Sequence, residues 1–398
     1  AELKVVTNNM SAEFGRSGGA TINVAYLSGG NTLRGSIWQF YRDTGLNATG
    51  FFKPIDGQKP PLRRNQFGFV LGGPIRKDKA FFFVDYEGFR QARKQVAFAS
   101  VPDAAQRQGI LTVPVRHPIT GVQYPAGVAI PPTAFASKVL ADLPPPNLPG
   151  TANNYQALQE LENASDKYGV KLDAQLSPRL RAFVRFGQRD ADMTEQPLLP
   201  LPSGGGGNGV QYVRNRQLAT GLTLIPSDTS LWEFRFGYSR AQGGKYPPAL
   251  GSPSAQEAYG ISGLPEDPRV AGGLPTQFIT GYSDLGRQNT NPQWQFPTVF
   301  TPKLNYTHRR GRHSLKAGLE WQHVRTEVQD VSPLYGSDEY AGRFTRPLGS
   351  TSTDNQYNLA DFMFGLRSTY ALSNILVADL RQNMHFLYGQ DDWRVNDR

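Results

Sequence analysis

The feature that most constrains this chain is an alternation of apolar and polar residues with a period of two. Along 231–239 the even positions are all aromatic, and the odd positions from 233 onward are charged or small. Successive side chains of a β-strand point to opposite faces of its sheet, so this pattern predicts a strand with one apolar and one polar face. Similar alternation along 166–177, 179–191 and 313–327 predicts an all-β chain.

The connections between the predicted strands alternate between short and long. Ten strands are predicted, at about 33–42, 65–75, 80–90, 166–177, 179–191, 212–225, 229–241, 298–308, 313–327 and 381–395. Tight turns are predicted at 76–79, 177–178, 226–228 and 309–312, and long connections at roughly 43–64, 91–165, 193–211, 243–296 and 329–380. Compact soluble domains seldom contain so many long loops. Transmembrane β-barrels combine short periplasmic turns with long extracellular loops, so the pattern favours an antiparallel barrel over a soluble β-sandwich.

A barrel wall must also close on itself, because every backbone polar group in lipid has to be hydrogen-bonded. The last strand is followed by a predicted tight turn at 396–398, which would leave an open edge. We therefore expect further strands beyond this stretch. The long loops are rich in Pro and Gly, and are expected to be irregular and exposed, with short helices near 133–143 and 358–365.

Composition excludes several other classes of protein. No run reaches the ~18 apolar residues that a membrane helix needs, and no charged segment followed by an apolar one marks a signal peptide at the start. The chain has no Cys, which excludes disulfide scaffolds and thiolate metal sites. The net charge is +9, but no Lys/Arg block supports a nucleic-acid partner. Arginines lining a polar cavity, or a surface facing phosphate-rich lipid, are two other origins of this charge.

Several motifs together resemble one family. Residues 3–6 and 11–24 (SAEFGRSGGATINV) resemble the end of the plug domain of TonB-dependent outer-membrane transporters, most closely in the Oar-like branch. Residues 63–69 (RRNQFGF) with 72–75 (GGPI), and then 81–88 (FFFVDYEG), resemble the second and third barrel strands of that branch. Residues 359–365 (LADFMFG) and 390–395 (QDDWRV) resemble later signatures. The motifs spread over nearly the whole chain and are specific in combination.

The resemblance implies a barrel of about 22 strands around a plug, of which about ten lie in this chain. It implies that residues 1–31 are the C-terminal end of the plug domain and that 32–398 are the N-terminal portion of the barrel, with long extracellular loops. It further implies a monomeric barrel in the outer membrane, surrounded by lipid and lipopolysaccharide. The implied function is transport of a large unknown substrate, energised by the TonB complex through an N-terminal segment upstream. No enzyme activity, cofactor or nucleic-acid partner is implied.

Catalytic and metal motifs have simpler explanations. Residues 15–19 fit the Gly-x-Ser-x-Gly nucleophile elbow, but a β-alternating stretch follows instead of a helix, which favours a glycine turn in the plug. The five His have no zinc-site spacing, and His308 and His313 are expected to be solvated beside a turn. Asp391 and Asp392 would point to opposite faces of a strand. Residues 204–207 lack the Gly-Lys-Ser/Thr of a phosphate loop. No catalytic, metal-binding or cofactor-binding residue is predicted.

The candidate site is the polar face of two predicted strands. Possible lumen-facing contacts to a substrate or to the plug are Arg181, Arg185, Arg189, Glu233 and Arg235. They suit an anionic substrate, but contact with the plug is favoured because most lumenal charge in a plugged barrel faces the plug. The aromatic face along 232–238 is predicted to meet lipid rather than to stack on a ligand.

Two alternative functions stay open. The same barrel would serve a surface adhesin or a protein-export component, neither of which needs a TonB-contacting segment upstream. A soluble all-β carbohydrate-binding protein is the other alternative. It predicts that the aromatic face along 232–238 lies buried under a second sheet.

Overall fold

The computed structural model describes residues 2–7, 10–15, 19–204, 206–375 and 377–396. In chain order the strands are β1 (Glu2–Val6), β2 (Thr21–Ala25), β3 (Arg34–Asp43), β4 (Leu62–Arg76), β5 (Ala80–Ala99), β6 (Val115–Arg116), β7 (Gln123–Tyr124), β8 (Tyr155–Ser177), β9 (Leu180–Glu195), β10 (Gly209–Ser227), β11 (Ser230–Tyr246), β12 (Thr276–Ile279), β13 (Gln293–Arg310), β14 (His313–Gln329), β15 (Ser337–Tyr340), β16 (Thr369–Ala371) and β17 (Ala378–Trp393). The helices are α1 (Ala104–Arg107), α2 (Ala134–Asp142), α3 (Ala255–Tyr259) and α4 (Gln356–Met363). None of the helices in the described ranges is long and apolar enough to cross a membrane.

Ten of these strands form one antiparallel sheet. Its order is β17-β14-β13-β11-β10-β9-β8-β5-β4-β3, so the ten strands lie in the sheet in the order in which they occur along the chain. All ten predicted strands are present, and the predicted all-β fold is confirmed. The sheet does not close, because β3 and β17 form its two edges in the described part of the chain.

The strands extend further on their loop side than the sequence predicted. β8 begins at Tyr155 rather than near 166, and β5 continues to Ala99 rather than ending near 90. Polar and apolar residues are mixed on both faces of these upper segments, as in RQARKQVAFA at 90–99, so no regular alternation predicts a strand there. Ladder pairing over their whole length and cross-strand ion pairs hold them, as between Arg90 and Asp166 at 2.9 Å.

Tight turns join the strands at the opposite end, and all four predicted turns are confirmed. The connections are 77–79, 178–179, 228–229 and 311–312. Asp78 and Gly311 adopt positive φ angles there (59° each), a conformation that short turns require and that Gly and Asp tolerate best. All tight turns therefore lie at one end of the sheet and all long loops at the other.

Four of the five long loops fold together, which corrects the expectation that they are irregular and exposed; most of the first, at 47–61, is irregular and largely exposed, as expected. We call the loop cap the segments 100–154, 196–208, 247–292 and 330–377, within the described residues. Their apolar side chains form one buried cluster that includes Leu140, Leu199, Leu274 and Phe362, each at most 2% exposed. The apolar residues of each loop are sparse, so no single loop predicts a core, whereas the four together build one. Both predicted helices are confirmed as α2 and α4, and lie in this core.

A buried carboxylate fixes the fourth loop of the cap. Asp361, in α4, is fully buried and accepts hydrogen bonds from the backbone N–H groups of Arg343 (2.8 Å) and Thr345 (3.1 Å). It also accepts one from the Thr345 hydroxyl at 2.7 Å. Asp361 belongs to the LADFMFG motif, so the structure assigns that motif to the core of the loop cap.

We call the described part of residues 2–31 the N-terminal segment. In it β1 and β2 pair as a hairpin that is separate from the ten-stranded sheet. Its residues 11–14 and 26–31 contact one face of the ten-stranded sheet. The Gly-x-Ser-x-Gly motif at 15–19 falls largely outside the described residues, since 16–18 are not among them. Gly205 in the 204–207 stretch and the last two residues of the predicted turn at 396–398 also lie outside the described part of the chain.

Candidate functional site

The sheet has one apolar and one polar face. Along β8 the apolar face runs from Leu176 to Tyr168, a span of nine residues. At ~3.4 Å per residue and a strand tilt of about 40°, this is a band about 21 Å tall, close to the ~25 Å of outer-membrane barrels. The band ends at Asp166, which accepts a hydrogen bond from Tyr86 (2.7 Å) and pairs with Arg90.

The aromatic row of β11 belongs to this apolar face. Trp232 and Phe234 are each 40% exposed, and no second sheet covers them in the part of the chain that the structure describes. The prediction of the soluble carbohydrate-binding alternative is therefore wrong. Trp232 stacks against Tyr306 with ring centroids 4.4 Å apart, at the end of the band nearest the tight turns. Aromatic girdles of this kind line the edges of the apolar band in membrane barrels.

The polar face is covered in part by the N-terminal segment. The Glu13 carboxylate accepts a hydrogen bond from Asn305 Nδ2 at 3.2 Å, and lies 3.4 Å from Lys303 Nζ. Lys303 also lies 3.5 Å from Glu320 and 5.7 Å from the centre of the Phe14 ring. This ion-pair network ties the segment to β13 and β14.

A second group of contacts ties the segment to β8 and β9. The Arg185 guanidinium lies 3.5 Å from the centre of the Tyr26 ring, a cation–π contact. Lys171 Nζ donates a hydrogen bond to Ser28 Oγ at 2.6 Å. At the edge of the sheet the Gln390 side chain accepts bonds from Ser11 Oγ and Ala12 N, both at 2.9 Å. The segment thus touches the polar face from β8 to β17.

All five predicted site residues lie on this polar face, because they share its register. Among the described residues, Arg185 is the one of the five that contacts the N-terminal segment. The other four bond within the sheet: Arg181 donates to Gln175 (3.0 Å), Arg189 donates to Ser165 (3.4 Å), and Arg235 pairs with Glu233 (2.8 Å). Whether any of the five binds substrate stays a prediction.

The strongest contacts to the segment come from residues outside the predicted set of five. Lys171, Lys303 and Asn305 all lie on the polar side of alternating strands, two of them in 298–308. The alternation that placed Arg185 on the polar face therefore places these three residues there as well. It does not show where the N-terminal segment lies, and that position decides which polar residues the segment contacts.

A cleft of about 650 Å³ separates residues 12–15 from β13, β14 and β17. Its lining includes Glu13, Lys303, Glu320 and Tyr388, so charges of both signs meet an aromatic hydroxyl. The cleft lies between the N-terminal segment and the wall of the sheet.

His313 is exposed, as expected, and its Nδ1 lies 2.7 Å from Asp391 Oδ2. His308 is half-buried, and its Nδ1 lies 3.1 Å from Ser230 Oγ. Asp391 and Asp392 point to opposite faces as predicted, since Asp392 instead accepts a bond from Gln390 on the polar face. Within the described residues no cluster of three His, Cys, Asp or Glu side chains has the arrangement of a metal site.

The sheet has an apolar band of this height on one face and a polar face on the other. Its tight turns and its long loops lie at opposite ends. These features define the wall of a transmembrane β-barrel. The chain belongs to the family of the outer membrane beta barrel domain, which matches residues 25–398. Its location is the outer membrane, as predicted. The family is one of outer-membrane transporters and receptors.

Two known proteins are similar to this chain. A stretch of 90 residues is 34% identical to the TonB-dependent transporter Oar of Myxococcus xanthus, which covers 21% of this chain and 8% of Oar. The outer membrane transporter YddB from Escherichia coli superimposes with a TM-score of 0.51 and 10% identity, over 98% of this chain and 41% of YddB. YddB shows the fold alone, and the chain spans less than half the length of either protein. The resemblance to TonB-dependent transporters is confirmed, with weaker support for the Oar-like branch.

Proposed function

We propose that this chain is part of a TonB-dependent transporter that moves a large substrate across the outer membrane. In this proposal residues 1–31 are the end of the plug and 32–398 are part of the barrel wall, which further strands complete. The TonB complex acts through a segment N-terminal to the plug. The partial match to Oar supports this assignment, because Oar is itself a TonB-dependent transporter.

One observation carries the proposal: the N-terminal segment is held on the polar face by polar and ionic contacts rather than by an apolar core. Glu13 bonds Asn305 and Lys303, and Lys171 bonds Ser28. Each such contact contributes only ~0.5–1.5 kcal/mol net, since water replaces it readily. A segment attached in this way is displaced by a modest pulling force. A purely structural lining would be better served by buried apolar packing.

A covalent tether tests whether the segment must move. In the full-length protein, the pair Glu13→Cys and Asn305→Cys is joined with a short bis-maleimide. We expect cells with the tethered protein to lose uptake of large solutes from a spent-medium fraction, followed by mass spectrometry. The matched control is the pair Gln217→Cys and Ser239→Cys, which face each other across β10 and β11 on the same polar face. That tether leaves the segment free, so uptake should persist.

The energy source is tested in the same cells. Uptake through the untethered protein should disappear in a strain that lacks TonB, and in wild-type cells treated with a proton uncoupler. Full uptake with the segment tethered, or uptake that does not depend on TonB, would contradict the proposal. An adhesin or an export component predicts no uptake through the untethered protein, because neither moves a solute inward.

A further inference from the structure

The tight turns carry much of the excess positive charge of the chain. The stretches 75–80, 177–180, 226–230 and 308–313 contain seven Lys or Arg and two Asp. Two basic patches result. The first basic patch is Arg76, Lys77, Lys79 and Arg179, and the second basic patch is Arg309, Arg310, Arg312 and Arg394. All eight residues are exposed.

Backbone hydrogen bonds fix the turns to one another. They run from Gln175 N to Lys79 O (2.7 Å), from Ile225 N to Arg179 O (2.9 Å), from Arg309 N to Thr229 O (2.8 Å) and from Arg394 N to Arg312 O (2.9 Å). Neighbouring turns therefore form a continuous rim. The turn at 226–230, which has no cation, separates the two patches.

The charge of the first basic patch is uncompensated, whereas Asp391 and Asp392 lie beside the cations of the second. In the described ranges no carboxylate lies within ion-pair distance of the first basic patch or of Arg309 and Arg310. The Asp78 carboxylate, in the middle of the first turn, accepts instead from Asn31 Nδ2 at 2.5 Å. Arg312 donates to the carbonyl of Val395 at 3.1 Å. The fixed, unpaired cations of the first basic patch, together with Arg309 and Arg310, attract a polyanion or an anionic surface.

The position of the rim favours a lipid surface as the anionic partner of these cations. The aromatic pair of Trp232 and Tyr306 marks the nearby edge of the apolar band. From Trp232 to the turn at residue 228 the strand rises about 10 Å along the membrane normal, at ~3.4 Å per residue and about 40° tilt. The headgroup region is roughly 5–7 Å thick on each side of the hydrocarbon core. Because Lys and Arg side chains reach several ångströms, the cations meet the level of the lipid phosphates.

Exposed apolar side chains continue down to the cations themselves. Ile75, next to Arg76, is 62% exposed, and Leu176, three residues before Arg179, is 60% exposed. Trp393, next to Arg394, is 60% exposed and stacks on His313. An apolar row followed at once by fixed cations matches an acyl chain followed by a phosphate. A soluble acidic partner would leave these apolar side chains uncovered.

We propose that the two basic patches bind the phosphate groups of anionic phospholipids in the leaflet that faces the tight turns, which is the periplasmic leaflet. The occupant is a phospholipid with net negative charge, such as phosphatidylglycerol. Lys and Arg bind its phosphate through charge-assisted hydrogen bonds, and the exposed side chains of the band contact its acyl chains. The inference depends on the placement of the sheet in the outer membrane and not on the transport proposal.

The test compares lipid binding by the full-length protein in detergent, measured by native mass spectrometry with phosphatidylglycerol or with phosphatidylcholine. The rim variant is Arg76→Gln/Lys77→Gln/Lys79→Gln. The matched control is Lys53→Gln/Lys59→Gln/Arg343→Gln, which removes three exposed cations from the long loops. We expect wild type and control to prefer phosphatidylglycerol. Each cation near a membrane surface is worth about fivefold in affinity, so the rim variant should lose up to about a hundredfold. Equal binding of both lipids by the wild type, or an equal loss in the control, would overturn the proposal.

A second measurement needs no variant and covers the case in which the rim variant fails to fold. In vesicles, brominated phosphatidylglycerol should quench the tryptophan fluorescence of the wild type more than brominated phosphatidylcholine, since Trp232 and Trp393 lie beside the rim. Inorganic phosphate is added as a competitor. Quenching that is equal for both lipids would overturn the proposal. Release of phosphatidylglycerol by an equal concentration of phosphate would overturn it as well, because the patches would then select free phosphate.

Discussion

Arginine substitutions along β10 test whether the apolar face meets lipid. Leu224, Leu222 and Leu218 all point to this face, and Leu224 pairs with Trp232 at the aromatic edge of the band. Each residue rises about 2.6 Å along the membrane normal, from ~3.4 Å per residue and about 40° tilt. Leu222 therefore lies about 5 Å and Leu218 about 16 Å inside that edge. The midplane of a ~25 Å band lies ~12 Å from its edge, so Leu218 is the closest of the three to it.

The loss of stability that each arginine causes is expected to increase with its depth in the membrane. An arginine on the lipid face costs ~2–4 kcal/mol at the midplane and ~0–1 kcal/mol near the interface. We expect Leu224→Arg to cost less than ~1 kcal/mol, Leu222→Arg ~1–2 kcal/mol and Leu218→Arg about 3 kcal/mol. Leu222 and Leu224 are 43% and 40% exposed, so the loss of packing is matched between them and depth is the variable.

The assay is urea unfolding of the full-length protein in phosphatidylcholine vesicles, followed by tryptophan fluorescence and by the gel mobility of the folded barrel. The control is Gln217→Arg, one residue from Leu218 at nearly the same depth but on the polar face. It should cost less than ~1 kcal/mol, because the charge stays in water. Equal costs at the three leucines would refute the lipid assignment. A cost for Gln217→Arg as large as that for Leu218→Arg would refute the assignment of the two faces.

Three further predictions concern the cap and the N-terminal segment. Asp361→Ala leaves the buried donors around Thr345 without an acceptor, so it should destabilise the loop cap by about 3 kcal/mol or more; faster hydrogen exchange in the cap, with an unchanged barrel, checks this. Arg185→Gln removes the cation–π contact to Tyr26 and should weaken retention of the segment by about 1 kcal/mol, seen as faster proteolysis of the segment in the purified protein. Burial raises the pKa of the Asp338 carboxyl above its usual range, despite the bond that it accepts in the cap. Because this pKa is higher in the folded protein than in the unfolded chain, protonation of Asp338 stabilises the fold at acid pH, and this contribution is lost as the pH rises through the raised pKa. The free energy of unfolding of Asp338→Asn relative to wild type should therefore increase with pH. A difference that does not change with pH would contradict the buried site.

The barrel wall was predictable because its signal is local. Apolar and polar residues alternate over about ten residues in each strand, and each tight turn has its own Pro, Gly or Asp. Each strand and each turn can therefore be predicted from its own stretch of sequence. The upper ends of β5 and β8 were missed because polar and apolar residues are mixed there without a regular alternation. Their pairing depends on the partner strand, which a single stretch of sequence does not show.

The loop cap was not predictable, because its core depends on contacts between separate loops and not on a local pattern. The loop at 196–208 contributes Leu199 to the buried cluster, and its three leucines among Pro and Gly show no helical or strand period. The short helices α1 and α3 have four and five residues, too few to show a helical period. In the site, the alternation placed Arg185 on the correct face. Lys303 and Asn305 were passed over because their importance depends on where the N-terminal segment lies.

The shared core of the loop cap limits how the extracellular end of the barrel changes shape. Buried residues from four separate loops, among them Leu140, Leu199, Leu274 and Phe362, pack in one cluster. Withdrawing one loop exposes its own apolar side chains and also those of its neighbours, at about 25 cal/mol per Å². Movement of the four loops as one body leaves that cluster intact and breaks only contacts at the strand ends. The cap is therefore expected to open as a unit, and differences in substrate between relatives belong on its exposed surface rather than in its core.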